Sequence, residues 1–94
     1  MVVFDPAKDA ANVGKHGLSL SRAADMVMDE ALIEADERFA YREARWIAYG
    51  ELDGRLHVLA FTIRDGAVRA ISLRKANRRE QAHVRHQGGF GGAG

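Results

Sequence analysis

The sequence has no cysteine, one proline and one tryptophan among its 94 residues. Without cysteine the chain can form neither disulfides nor thiolate metal sites, which fits a reducing compartment such as the cytoplasm. No apolar run approaches the roughly 18 residues that a membrane-spanning helix needs. The opening residues, MVVFDPAKDA, also lack the basic segment and apolar core of a secretory signal. We therefore expect a cytoplasmic protein without a membrane span.

The composition is that of one folded domain. Hydrophobic residues make up 47% of the chain and charged residues 29%, which is typical of a globular protein rather than a disordered one. A chain of this length has room for one modest core. We assign residues 1–86 to a single α+β domain and predict that the glycine-rich residues 87–94 form a flexible tail.

The charges are unevenly distributed, although the formal net charge is only +1. Between Asp25 and Glu37 there are six acidic residues and no basic one. Between Arg69 and Arg85 there are six basic residues and one acidic one. A domain with such separated charges can attract an anion at one face and a basic partner at another.

Two helices are predicted near the N-terminus. Asp5 followed by Pro6 is typical of a helix N-cap and first position, and Gly17 is typical of the residue that ends a helix. Ser19 predicts the cap of a second helix, which would run through LSRAADMVM.

The middle of the chain predicts strands. Asp53-Gly54 and Asp65-Gly66 each lie between apolar runs, which is the strongest short-range signal for a β-hairpin. These turns predict three antiparallel strands, and the alternating stretch ALIEAD predicts a fourth. With a helix after the last strand, the pattern predicts an α+β fold: two N-terminal helices and one C-terminal helix packed on a twisted antiparallel sheet of four strands, or five.

The stretch ISLRKANRRE (residues 71–80) joins the last predicted strand to the final helix. Asn77 and Glu80 have the spacing of a capping box, in which each side chain bonds to the other residue's amide. The same stretch carries four cations: Arg74, Lys75, Arg78 and Arg79. Basic residues at a helix N-terminus oppose the helix dipole unless an anion offsets them. We interpret this cluster as functional, the alternative being a solvated run of surface charge.

Several segments together resemble the BrnT toxins, small ribonucleases of bacterial type II toxin–antitoxin pairs. The similarity covers about residues 3 to 84 and rests on the order and spacing of four segments: FDPAKDAANVGKHG, DER, EARWIAYG and RDGAVRAISLRKANRRE. The resemblance implies a RelE-like fold, RNA as substrate, and cleavage without a metal ion or other cofactor. It also implies inhibition by a cognate ribbon-helix-helix antitoxin, in a heterotetramer that binds operator DNA through the antitoxin. The free domain could be a monomer or a dimer.

The chain departs from the family pattern at three positions. Phe39 stands where the family commonly has His, Leu73 where it usually has Ala, and Val84 where it often has Tyr. A missing catalytic His would leave this copy slow or inactive.

Metal-independent cleavage of RNA uses the 2′-hydroxyl of the substrate as nucleophile. Because guanidinium groups grip phosphate oxygens and stabilise the charge that develops on them, we predict that Arg64 and Arg74 act in catalysis. Phosphate binding is predicted for the neighbouring cations Arg69, Lys75, Arg78 and Arg79. For proton transfer we select His16, since imidazole changes protonation near neutral pH, and we assign its neighbour Lys15 to the catalytic group as well. The alternative for Lys15 and His16 is ordinary positive charge at a helix C-terminus.

The roles of several other residues have two interpretations each. Glu43 and Arg45 would share one face of a strand, where they either form an ion pair or line the RNA site. His83 could line the site too; with His86 it has metal-ligand spacing, but a third ligand is missing, so no metal site is predicted. The aromatic residues at strand spacing are more typical of a core than of a base-stacking surface; they are Trp46, Tyr49 and Phe61.

The sequence thus supports a hypothesis of a cytoplasmic endoribonuclease toxin that is held inactive by an antitoxin. The alternative is a non-catalytic module that binds nucleic acid or an acidic protein segment through the same basic face, and Phe39 favours it. A small structural subunit is a third, weaker interpretation.

Overall fold

The computed structural model describes residues 1–88. Its elements, in chain order, are β1 (Val2–Val3), α1 (Pro6–His16), a 3₁₀ helix (Leu20–Asp25), β2 (Val27–Ala35), β3 (Trp46–Leu52), β4 (Arg55–Arg64), β5 (Ala67–Lys75) and α2 (Arg78–His86). Residues 89–94, most of the predicted tail, lie outside the described residues. Within residues 1–88 no helix is both long enough and apolar enough to cross a membrane.

The five strands form one mixed sheet in the order β1-β5-β4-β3-β2. From β2 to β5 each strand is antiparallel to the next in the chain, as the hairpin signals predict. The short β1 instead pairs in parallel with β5, through Val2 with Val68 and Val3 with Arg69. The sheet is therefore mixed rather than purely antiparallel, because the two residues of β1 pair in parallel with the outer side of β5.

Both Asp-Gly turns form as predicted. Asp53 and Gly54 have φ values of 54° and 77°, and Asp65 and Gly66 have 53° and 76°. Two successive residues with positive φ make the turn twist in the sense that antiparallel strands require. These two turns fix the order of β3, β4 and β5.

The predicted second N-terminal helix is wrong in type and in extent. Ser19 does cap it, but the segment is a six-residue 3₁₀ helix that ends at Asp25. Val27 and Met28, predicted to lie in that helix, instead open β2. The apolar spacing alone could not distinguish these outcomes, because the pairing of Val27 with Glu51 of β3 is a long-range contact.

The helices lie on both faces of the sheet. Leu20 and Ala23 of the 3₁₀ helix pack on one face, in a buried cluster with Ala48, Leu59 and Leu73. Val84 of α2 packs on the other, in a second cluster whose strand members alternate with those of the first; they are Leu32, Ile47, Tyr49, Leu56 and Val58. The sheet is thus the middle layer, and α2 alone brings its side chains onto the second face.

The aromatic residues confirm the prediction of a core role. Phe61 and Tyr49 are buried, and Trp46 is half-buried against the first cluster. None of the three presents a fully exposed ring on which a base could stack.

A buried asparagine joins α1 to the edge of the sheet. Asn12 accepts from the Leu73 amide at 3.0 Å and donates to the Leu73 carbonyl at 2.8 Å. It also donates to the Leu18 carbonyl at 2.8 Å. The side-chain amide thus takes the place that a neighbouring strand would have beside Leu73, beyond the two residues that β1 covers.

Strand β2 bulges away from β3 around a glycine. Val27 pairs with Glu51 and Leu32 with Tyr49, so four residues of β2 lie opposite Gly50 alone. A Cβ atom on Gly50 would lie 3.2 Å from both the Val27 carbonyl oxygen and the Met26 Cε. Close approach of the backbones therefore requires glycine at this position.

Candidate functional site

The end of β5 and the start of α2 present a cluster of exposed cations. Lys75 is the last residue of β5, and Arg78 and Arg79 are the first two of α2. All three are exposed, and among residues 1–88 none has a carboxylate within salt-bridge distance. We call Lys75, Arg78 and Arg79 the basic surface.

Local sequence explains why α2 begins at this point. Asn77 accepts from the Glu80 amide at 2.8 Å, and Glu80 accepts from the Asn77 amide at 2.9 Å, which confirms the predicted capping box. The amides of the first turn and the two arginines therefore share one end of the helix, where a phosphate is favoured.

Lys15 and His16 lie beside the same strand. They line a shallow pocket of about 200 Å³ between α1 and the edge of β5, together with Ile71 and Ser72. Ser72 lies two residues before Arg74 on the same face of β5, roughly 7 Å away at the usual rise per residue. The structure therefore places this pair near the basic end of β5.

Arg74 is engaged rather than free. Its guanidinium donates to both carboxylate oxygens of Glu80, at 2.7 and 2.6 Å. These bonds hold the pKa of Glu80 below its ordinary value and raise that of Arg74. Because Glu80 also caps α2, one carboxylate fixes both the helix start and the Arg74 side chain.

Arg64 and Arg69 lie toward the other end of the sheet. Arg64 pairs with Ala67 across the hairpin, whereas Arg74 pairs with Val58, seven residues farther along β5 and roughly 23 Å away. Arg64 forms an ion pair of 2.8 Å with Glu43. The structure therefore places Arg64 far from both Arg74 and the basic surface.

Glu43 and Arg45 do not form an ion pair with each other, which was one of the two interpretations of their spacing. They precede β3, and Arg45 lies over the Tyr41 ring, 4.2 Å from its centroid. With Glu43 bound to Arg64, the two residues instead stabilise the connection between β2 and β3.

That connection is organised around Asp36, whose role the sequence did not reveal. Its carboxylate accepts from the Arg38 side chain at 2.8 and 2.9 Å and from the Tyr41 hydroxyl at 3.0 Å. The Arg38 bonds hold the pKa of Asp36 well below its usual range, although burial alone would raise it. Phe39 is 67% exposed and contacts Tyr41 edge-on.

His83 lies on the second face of the sheet, above Tyr49. Its Nε2 contacts both carboxylate oxygens of Glu34, at 3.0 and 2.9 Å. Glu34 comes from β2, 49 positions earlier in the chain. Sequence reasoning named His83 but could not supply its partner, because no local spacing connects the two.

No group of three or more His, Cys, Asp or Glu side chains within residues 1–88 is arranged to hold a metal ion. His83 and His86, the one pair with ligand spacing, differ in surroundings: His83 contacts Glu34, whereas His86 lines a separate shallow pocket with Ala82 and Arg85.

Comparison with known families settles the relationship of the chain. Residues 4–80 match the family described as "Ribonuclease toxin, BrnT, of type II toxin-antitoxin system". The chain belongs to the BrnT family. No curated protein matches the chain.

Membership confirms the resemblance predicted from the four segments. A BrnT protein is a ribonuclease toxin of a type II toxin–antitoxin system, so a cognate antitoxin is its expected partner. The matched residues include the whole β5–α2 junction and end at Glu80. His83 lies beyond them.

Proposed function

We propose that this BrnT protein is a cytoplasmic, metal-independent endoribonuclease that binds RNA through the basic surface. The observation that carries the proposal is the set of exposed cations without acidic partners at the junction of β5 and α2. One guanidinium group can bind two phosphate oxygens in a bidentate contact, and the helix N-terminus adds its own partial positive charge. An RNA backbone is the anion that the family assignment favours.

RNA cleavage requires three catalytic functions. A base must take the proton of the 2′-hydroxyl, cations must stabilise the charge on the phosphoryl oxygens, and the leaving 5′-oxygen must gain a proton. Lys75, Arg78 and Arg79 provide the cations in this proposal, with Arg74 oriented next to them by Glu80. His16 and Lys15 are adjacent candidates for proton transfer and for a further phosphate contact.

The second end of the sheet has a supporting role in this proposal. Arg69 is half-buried on β5, and Arg64 is engaged by Glu43. Their distance from Arg74 favours contacts with flanking nucleotides over contacts with the reacting phosphate.

The antitoxin is proposed to be a ribbon-helix-helix protein, joined to a RelE-like toxin in a heterotetramer that binds operator DNA through the antitoxin. The exposed acidic side chains of β2, such as Asp29 and Glu30, suit contact with a basic antitoxin segment. Neutralisation would follow if that contact also covers the basic surface.

The test is cleavage of labelled RNA by the purified protein in the presence of EDTA. We expect the wild type to cleave, and Arg78→Ala with Arg79→Ala to lower the rate by about tenfold or more, because each charge-assisted hydrogen bond contributes about 1.5–3 kcal/mol. Arg42→Ala, an exposed arginine in the β2–β3 connection, is the matched control and should keep full activity. Cleavage that requires added metal, or that survives the double substitution, would contradict the proposal.

A non-catalytic RNA-binding role is the second candidate. The exposed Phe39, in place of the His that the family commonly carries, favours it. Three results together would select this candidate. The protein retards RNA in a gel, and Arg78 and Arg79 are needed for the retardation. It does not cleave RNA, and its expression does not arrest growth.

A further inference from the structure

A histidine held by a carboxylate lies on the second face of the sheet, next to the basic surface. Both oxygens of Glu34 are within 3.0 Å of His83 Nε2. A carboxylate accepts hydrogen bonds and does not donate them, so Nε2 carries the hydrogen. Nδ1 is then the ring atom that can accept a proton.

The ring is oriented from a second direction by Tyr49. The two rings meet edge to face, with centroids 5.6 Å apart and an interplanar angle of 63°. Tyr49 is 8% exposed, and burial is the main reason that its pKa is raised. A buried tyrosine beneath and a carboxylate at one nitrogen together restrict the imidazole to one orientation.

The pair lies close to the cations of the basic surface. Tyr49 pairs with Val58, and Val58 pairs with Arg74, so Tyr49 and Arg74 lie on one face only two strands apart, roughly 10 Å. On α2, Arg79 precedes His83 by four residues and therefore lies next to it on the helix surface. A phosphate bound by Arg79 would lie beside the imidazole ring.

Both members of the pair remain reachable from solvent. The side chain of His83 is 38% exposed and that of Glu34 is 36% exposed. A contact with this exposure contributes little to stability. Partial exposure leaves the ring open to a bound substrate, and a fixed orientation suits proton transfer, which needs the base within hydrogen-bond reach.

We propose that His83 is the proton-transfer residue of this BrnT protein and that Glu34 is its positioning residue. The inference rests on the proposed ribonuclease function. Nδ1 of His83 takes the proton from the 2′-hydroxyl as the bond from O2′ to phosphorus forms. The bond from phosphorus to O5′ breaks, and O5′ takes a proton from water, leaving a 2′,3′-cyclic phosphate and a 5′-hydroxyl.

The charged and titratable groups around the ring come from every neighbouring element. Glu34 faces it from β2 and Tyr49 from β3, while Arg79 adjoins it on α2. Arg74 of β5 and Glu80 of α2 lie farther away, within electrostatic range of Tyr49.

The test is a kinetic comparison of His83→Ala, Glu34→Gln and His16→Ala with the wild type, in EDTA, with and without free imidazole. We expect His83→Ala to lose about 100-fold or more in kcat. Because the ring is partly exposed, added imidazole should restore part of that activity. Glu34→Gln should lower kcat by about tenfold with KM unchanged, since the amide no longer holds the ring as a carboxylate does. His86→Ala, on the same helix, is the matched control and should match the wild type.

Each other outcome overturns the inference. A His83→Ala protein that cleaves within twofold of the wild type excludes His83 while leaving the ribonuclease proposal intact. If His83→Ala has the unfolding temperature of the wild type but imidazole does not restore its lost activity, proton transfer by His83 is also excluded. Loss and imidazole rescue in His16→Ala alone would assign the step to His16. A wild type that does not cleave RNA at all would overturn this inference together with the proposed function.

Discussion

At the scale of single residues, several side chains of this protein bond to partners far away in the sequence. Asn12 bonds to Leu73, 61 positions later. Glu34 reaches His83, and Arg64 reaches Glu43. Each of these contacts joins two distant segments of the chain, so each one positions a surface as well as a residue.

Asp36 should make the stability of the protein depend on pH. Its pKa is lower in the folded protein than the value of about 3.9 in an unfolded chain. Its contribution is therefore fully present above about pH 4 and is lost as the pH falls through the folded pKa. We expect Asp36→Asn to cost about 1–3 kcal/mol of unfolding free energy at pH 7, from the charged hydrogen bonds it removes, and less at pH 3.

Urea unfolding of the wild type and of Asp36→Asn at the two pH values measures this difference. Asp29→Asn, an exposed residue of β2, is the control and should change the unfolding free energy little at either pH. An equal loss for Asp36→Asn at both pH values would show that the ion pair with Arg38 does not stabilise the fold.

The sequence could predict residue roles only where the signal is local. The caps at Asp5 and Asn77 bond to amides two and three residues away, and both were found from the sequence. The roles of Asn12 and Glu34 could not be found in this way, because an asparagine in a helix and a glutamate in an acidic strand are ordinary surface residues until the tertiary fold supplies their partners.

At the scale of elements, turn and cap chemistry predicted most of the architecture. A few residues each are enough to predict the limits of α1, both hairpins and the start of α2. The 3₁₀ helix and β1 could not be predicted from the sequence. A six-residue segment with two buried residues carries too little periodicity to define its helix type, and a two-residue strand carries none.

The bulge in β2 gives a prediction for Gly50. We expect Gly50→Ala to lower the unfolding free energy by about 1–3 kcal/mol, because the added methyl group would press against the Val27 carbonyl in a closely packed site. Gly14→Ala provides the matched control. Gly14 lies inside α1 with no atom within 4 Å of an added Cβ, so alanine should raise the unfolding free energy by about 0.5–1 kcal/mol.

Chemical denaturation of the two variants beside the wild type gives both values. If Gly50→Ala were neutral, β2 would have to move away from β3 without cost. The bulge would then be a soft feature rather than one imposed by the glycine.

At the scale of the whole molecule, a nearly neutral chain has a distinct basic end. Exposed acidic side chains lie along β2, at one edge of the sheet, and the unpaired cations lie where β5 meets α2. The charge counts predicted the separation. They could not predict that Arg74 is bound by Glu80, which depends on how the chain turns between β5 and α2, or that Arg64 lies at the far end, which depends on strand register.

This charge distribution predicts a salt-dependent affinity for RNA. Each neutralised phosphate of a single strand contributes about −0.7 to the slope of log K against log salt concentration. Replacing Arg78 and Arg79 by alanine should therefore make the slope less steep by about 1.4. Binding titrations at several salt concentrations measure the slope. Arg42→Ala should leave it unchanged, and an unchanged slope in the double variant would place the RNA elsewhere.

The amide of Asn12 also bears on how copies of this chain can associate. Together with β1, it occupies the outer side of β5, and β1 itself offers only two residues of edge. Within residues 1–88, the nine residues of β2 are the one long edge of the sheet. Two copies related by a two-fold axis would use that edge on both sides, and none would remain for a third. A symmetric pair formed through β2 would therefore leave no long edge of the sheet for a third copy.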